Sequence, residues 1–241
     1  MKPSTRLRRA AAWAVHCYTA SGVVLAFAAL LAVADGSFRS AFLWLALAVA
    51  VDATDGALAR AVGVKRVVPE IDGAHLDDII DYLTFVFVPL ALMHAAGLLV
   101  GPAGLAAASL ALLVSALRFV HTDAKTADHF FTGFPSYWNV AAFYLWVFEA
   151  PPALCAGLIS ALALLVPTRL RFLYPSRMTW LRGPTVLLGI VWGVAVLVVL
   201  WGYPDAPAGL AGASLLYPAY YAGLSFYLQW RDRRISSAAT R

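Results

Sequence analysis

Asp52-Ala53-Thr54-Asp55-Gly56-Ala57-Leu58-Ala59-Arg60 and, after twelve further residues, Gly73-Ala74-His75-Leu76-Asp77-Asp78-Ile79-Ile80-Asp81 are acidic segments set in apolar surroundings. The run from Ala41 to Val51 before them and the run from Leu83 to Leu92 after them carry no charge. Asp52 and Asp55 are three residues apart and Asp77 and Asp81 four apart, so each pair lies on one side of a helix. A carboxylate among lipid-facing residues is expensive and needs a partner or a task. Two antiparallel helices joined by a short connection would bring both pairs to one depth. Four carboxylates within a few ångströms crowd negative charge in a way that calls for a cation. Hard oxygen ligands favour Mg²⁺ or Mn²⁺ over zinc.

Composition extends this to the whole chain. Of 241 residues 62% are hydrophobic and 13% charged, too few polar groups to cover a soluble domain of this size. A helix needs about 20 apolar residues to cross a hydrocarbon core about 30 Å thick. Apolar runs near residues 10–34, 40–62, 75–98, 102–122, 136–150, 152–171, 184–202 and 208–230 meet or approach that length. The expected fold is an all-α integral membrane protein of about eight transmembrane helices, forming one membrane domain over residues 1–241. The fifth run is short: either it begins earlier, near Phe130, with Pro135 kinking or starting it, or it is a tilted or partly interfacial element. The first run follows a basic N-terminus but is too long for a signal h-region, and is read as an uncleaved span. Cys17 and Cys155 fall inside apolar runs and read as small buried hydrophobes.

Charge then orients the chain. With a cytoplasmic N-terminus and eight passes, all of the 18 basic residues except Arg39 fall in cytoplasmic segments. Both termini and the aspartates are therefore expected on the cytoplasmic side of a multi-pass membrane protein. The same basic face suits anionic lipid headgroups. Gly56, Ala59 and Gly63 continue the stripe of Asp52 and Asp55, leaving room for a ligand or for close helix packing. Arg60 stands one turn beyond Gly56, where it can neutralise carboxylates or meet a phosphate. His16 and His121 read as satisfied histidines at helix interfaces rather than metal ligands, and Asp78 is rotated about 100° away from Asp77.

The spacing Asp-x-x-Asp-Gly-x-x-Ala-Arg, then Gly-x-x-x-Asp-x-x-x-Asp, resembles the signature of the CDP-alcohol phosphotransferase family. Most members have eight residues after the arginine. The twelve here resemble the bacterial phosphatidylcholine synthase branch and insert about one helical turn into the link containing Lys65, Arg66 and Glu70. His16-x-x-Thr19-Ala20-Ser21-Gly22, Lys125-Thr126, Phe130-Phe131-x-Gly133-Phe134-Pro135 and Trp138-Asn139 are similar to further motifs of that branch.

This resemblance implies a helical bundle of the family's type that transfers the phosphatidyl group of CDP-diacylglycerol to choline, giving phosphatidylcholine and CMP. It implies two divalent ions, Mn²⁺ or Mg²⁺, among Asp52, Asp55, Asp77 and Asp81, with Asp81 also acting as base. It implies a site for the CDP-lipid at Gly56, Ala59, Arg60, Gly73, Thr19 and Ser21, and a homodimer in contact with membrane lipids. No nucleic-acid partner is expected. Choline has no N–H to donate, so its recognition calls for aromatic faces and nearby negative charge. Tyr82, Tyr137, Trp138, Asp123 and Asp128 are the candidates. Glycerol phosphate, serine or inositol as acceptor, or a small cation transporter, are the alternatives. Transport fits less well, because the aspartates gather at one face instead of descending through the bilayer.

Overall fold

In the computed structural model, residues 5–121, 130–173, 178 and 180–239 are described. Among them the protein is helical apart from one short two-stranded ribbon. Helix α1 (Thr5–Ala34) and helix α2 (Phe38–Val62) form an antiparallel pair, linked by a tight turn in which Gly36 takes φ +69°. The buried residues are mostly small on α1 and larger on α2. Ala12, Val15, His16, Thr19, Gly22, Ala26 and Ala29 are buried on α1, and Ala41, Phe42, Leu45, Ala48, Val51 and Asp55 on α2. Three- and four-residue steps of this kind mark one helix face, and small side chains let two backbones come close.

Gly63, with φ +71°, ends α2 by donating its N–H to the Ala59 carbonyl. The next turn is α3 (Val64–Val67), four residues long. It lies in the link that the twelve-residue spacing lengthens. Val64 and Val68 pack on Ala12 and Val15 of α1, and Arg9 forms an ion pair with Glu70. Helix α4 (Gly73–Asp81) then starts on Asp72, whose carboxylate accepts from the N–H groups of Ala74 and His75. That gives Asp72 its role as an N-cap, satisfying two donors that a helix start leaves open. A π-helical turn over Tyr82–Phe87 carries α4 directly into α5 (Val88–Ala95).

The remaining helices are α6 (Gly101–Phe119), α7 (Trp138–Val147), α8 (Pro152–Leu165), α9 (Arg182–Gly202), α10 (Ala208–Ser214) and α11 (Leu216–Ala239). Each anticipated span has a helical counterpart, but the count is not eight simple crossings. Among the described residues four helices, α1, α2, α6 and α9, are long and apolar enough to cross a membrane alone. Helix α4, the π turn and α5 make a further long rod only in combination. The fifth pass is shorter than expected. Residues Phe130–Thr132 are extended as β1, so the helix starts at Trp138 and α7 is about 15 Å long. Helix α8 likewise stops at Leu165, and Arg171–Leu173 form β2.

The chain divides into two compact units, residues 1–108 with 137–155, and residues 109–136 with 156–241. In the first, Phe42 packs edge-on to Phe143 with centroids 6.0 Å apart and also meets Trp146. In the second, β1 pairs antiparallel with β2, Phe131 opposite Phe172. Helix α11 grips this ribbon through one stripe. Tyr221 Oη donates to the Leu173 carbonyl, the Leu173 N–H donates to Ser225 Oγ, and the Arg171 N–H donates to Gln229 Oε1. Gly133 follows β1 with φ +80°, where a Cβ would collide with the Val166 carbonyl oxygen.

Candidate metal and substrate site

The acidic site lies in the first unit, where side chains of α2 and α4, both packed on α1, converge. One carboxylate oxygen from each of Asp52, Asp55 and Asp77 lies within 4.8 Å of the other two. Asp55 is buried, and Asp52 and Asp77 are half-buried. Three like charges at this separation repel by about 3 kcal/mol per pair at an effective dielectric constant near 20. The donor set suits a hard divalent cation: it is all oxygen, anionic and partly sheltered from water. Asp81 is half-buried one turn beyond Asp77 and stands outside the close trio.

The helices hold these carboxylates through tight contacts with α1. A Cβ on Gly22 would lie 2.5 Å from Ile80 Cγ2, so only glycine allows α1 this close to the turn between Asp77 and Asp81. A Cβ on Gly73 would lie 3.2 Å from His16 Cε1. His16 is buried at this interface, its ring edge-on to Trp13 with centroids 6.1 Å apart. It sits between helices as anticipated but is not satisfied: among the described residues its Nε2 has no hydrogen-bond partner. A buried polar atom without a partner is uncommon, and periodicity could not have disclosed this one.

The other candidates fall into place around the trio. Arg60 is exposed, and its Nη1 would lie 3.3 Å from a Cβ on Gly56, so the guanidinium folds back across the glycine. Ala59 is half-buried and also packs on the α1–α3 cluster. Thr19 is buried on α1, while Ser21 Oγ donates to the Tyr18 carbonyl at 2.6 Å. Thr54 Oγ lies 2.9 Å from the Ala50 carbonyl and 2.8 Å from Tyr18 Oη. With its one proton directed to its own helix, Thr54 accepts from the tyrosine, tying α1 to α2 between the two α2 aspartates.

Of the aromatic candidates, Tyr82 opens the π turn and is half-buried, and Tyr137 lies 6.0 Å from Phe85 in that turn. Trp138 is wholly buried and presents no accessible ring face, unlike the role sketched for it. Asp123 and Asp128 lie outside the described residues.

No family model matches the sequence. Curated proteins do. The phosphatidylcholine synthase of Pseudomonas aeruginosa is 36% identical over 230 residues, 95% of each chain. That of Legionella pneumophila is 36% identical over 93% of this chain and 91% of its own. That of Bradyrhizobium diazoefficiens is 38% identical over 83% of this chain and 74% of its own.

Proposed function

The chain belongs to the phosphatidylcholine synthase family, and from that premise we propose that it transfers the phosphatidyl group of CDP-diacylglycerol to choline. The observation that carries the chemistry is the trio Asp52, Asp55 and Asp77, three anionic oxygen donors on two helices within 4.8 Å of one another. Asp52, Asp55 and Asp77 would hold one divalent ion, Mg²⁺ or Mn²⁺, and Asp81 would complete the place of a second. Such ions supply charge neutralisation for the pyrophosphate under attack and for the departing nucleotide.

The protein's own residues do the rest. Asp81 accepts the proton of the choline hydroxyl as that oxygen bonds to the lipid-side phosphorus. The phosphoanhydride bond to the nucleotide breaks, and CMP leaves with the electron pair. Arg60, folded across Gly56, is positioned to meet phosphate oxygens, and the absence of a side chain at Gly56 leaves room beside it. Gly73, Thr19 and Ser21 line the α1 and α4 side of the same nucleotide–lipid site. Tyr82 and Tyr137 flank the π turn and offer half-exposed rings for the quaternary ammonium, which keeps its charge away from the cations. The protein works as a multi-pass bacterial inner-membrane enzyme with both termini and the aspartates at the cytoplasmic face, and as a homodimer. The near-total segregation of basic residues supports that orientation.

The test is incubation of purified protein with CDP-diacylglycerol, Mn²⁺ and separate alcohols while CMP is measured. Release with choline and not with serine, inositol or glycerol phosphate is expected. Release with another acceptor alone would move the chain to a different activity.

A further inference from the structure

The rod that carries Asp77 and Asp81 is not a uniform helix. Between α4 and α5 the turn Tyr82–Phe87 is π-helical, and the Val88 N–H donates to the Leu83 carbonyl five residues back instead of four. Single π turns of this kind are uncommon and gather at functional sites. Here the sequence supplies a cause. Pro89, in the first turn of α5, has no N–H to offer the carbonyl four residues back, that of Phe85. Its ring also fills the space that an α-helical carbonyl would need, and widening the preceding turn relieves the clash. Thr84 Oγ adds to the effect by donating to the Ile80 carbonyl at 3.0 Å, a bond that bends helices.

A widened turn holds one residue more than an α-helix over the same path, and each α-helical residue turns the chain by about 100°. Closing the bulge at constant chain length would therefore turn α4 by about that angle relative to α5. Neither end is free to choose its face. Val88, Pro89, Leu90, Leu92 and Met93 are buried on α5. On α4, Ile80 fits against Gly22, and Asp77 meets the two α2 aspartates.

We propose that Pro89 is a positioning residue: by enforcing the π turn over Tyr82–Phe87, it sets the rotation of α4 that aims Asp77 at Asp52 and Asp55, with Asp81 one turn beyond. Its effect on turnover rests on the reaction proposed above. Its effect on the carboxylate trio does not.

Two variants separate positioning from simple stiffening. Pro89→Ala lets the turn close as an α-helix with α4 rotated. Pro89→Ala combined with deletion of the exposed Phe87 removes the extra residue, so a regular α-helix would again present Asp77 on its original side. Mn²⁺ alone is titrated into each purified protein, and CMP release with choline is measured in parallel. Pro89→Ala should bind Mn²⁺ about tenfold more weakly and turn over about a hundredfold more slowly. The shortened variant should recover both. A proline that only stiffened the fold would shift the melting temperature, and shortening the helix would not rescue Mn²⁺ binding. Wild-type Mn²⁺ affinity in Pro89→Ala, or a shortened variant no better than Pro89→Ala, would overturn the proposal. Wild-type protein that binds Mn²⁺ but releases no CMP with choline would sink the proposed reaction and leave the role of Pro89 to the titration.

Discussion

The acidic site and the ribbon are both polar structures among apolar helices, yet they treat their polar groups in opposite ways. Around the ribbon, hydroxyls and amides are matched to partners: Tyr221, Ser225 and Gln229 serve the backbone of β2, Ser115 meets Ser136, and Thr185 meets Tyr220. At the acidic site three carboxylates crowd together, and the buried His16 keeps an Nε2 without a partner among the described residues. Matched polar groups secure a fold. Like charges held close together, in a setting where charge is expensive, suit a cation. Polar side chains thus have different meanings at two places in one chain.

Substitutions should separate these meanings. The largest effect is expected at Asp55, the buried member of the trio. Asp55→Asn should lower turnover by more than about a hundredfold, because misplacing the reacting groups by about an ångström suffices for that. Without metal, the same variant should melt at or above the wild-type temperature, since one repelling charge is gone. A metal-free variant that melted well below wild type would place Asp55 with the structural groups.

At the ribbon the pattern should reverse. Gly133→Ala forces a Cβ into the Val166 carbonyl at a left-handed position and should destabilise the protein by about 2–4 kcal/mol. Ser225→Ala strands the Leu173 N–H and should cost about 1–3 kcal/mol. Denaturation in detergent measures both, and whatever protein remains folded should keep the wild-type half-saturation for choline. Asp72→Ala removes the α4 cap and should cost about 1 kcal/mol, with a modest loss of rate because the cap lies one turn before Asp77. The smallest effect is expected at Tyr82. Its loss to alanine should raise the choline half-saturation severalfold and leave the CDP-diacylglycerol requirement unchanged. An unchanged choline requirement would put the ammonium pocket elsewhere.

What could be read in the sequence follows from the same physics. Asp52, Asp55, Asp77 and Asp81 stood out because a charge within an apolar run has few structural uses; helical spacing paired Asp52 with Asp55 and Asp77 with Asp81, whereas the close trio takes Asp77 with the α2 pair and leaves Asp81 outside. The longer link was visible as a count, and α3 lies within it. Asp72 lay outside the motif, and its capping bonds depend on where α4 begins. The π turn depends on a clash between Pro89 and a carbonyl four residues earlier, combined with burial on both sides. Apolar periodicity blurs that into one long span. The ribbon was hidden more completely: Phe130–Thr132 and Arg171–Leu173 are three residues each, distant in sequence, and stabilised by side chains of α11. Those strands shorten the helices on either side, so α7 is shorter than its apolar run implied.

Mn²⁺ electron paramagnetic resonance on the purified protein, without substrate, reaches the centre of this account. Wild type should immobilise Mn²⁺, and Asp52→Asn, Asp55→Asn and Asp77→Asn should each release most of it, while Asp78→Asn and Ser225→Ala retain it. Equal Mn²⁺ binding by wild type and the three trio variants would contradict the assignment of these aspartates as the metal-holding heart of the enzyme.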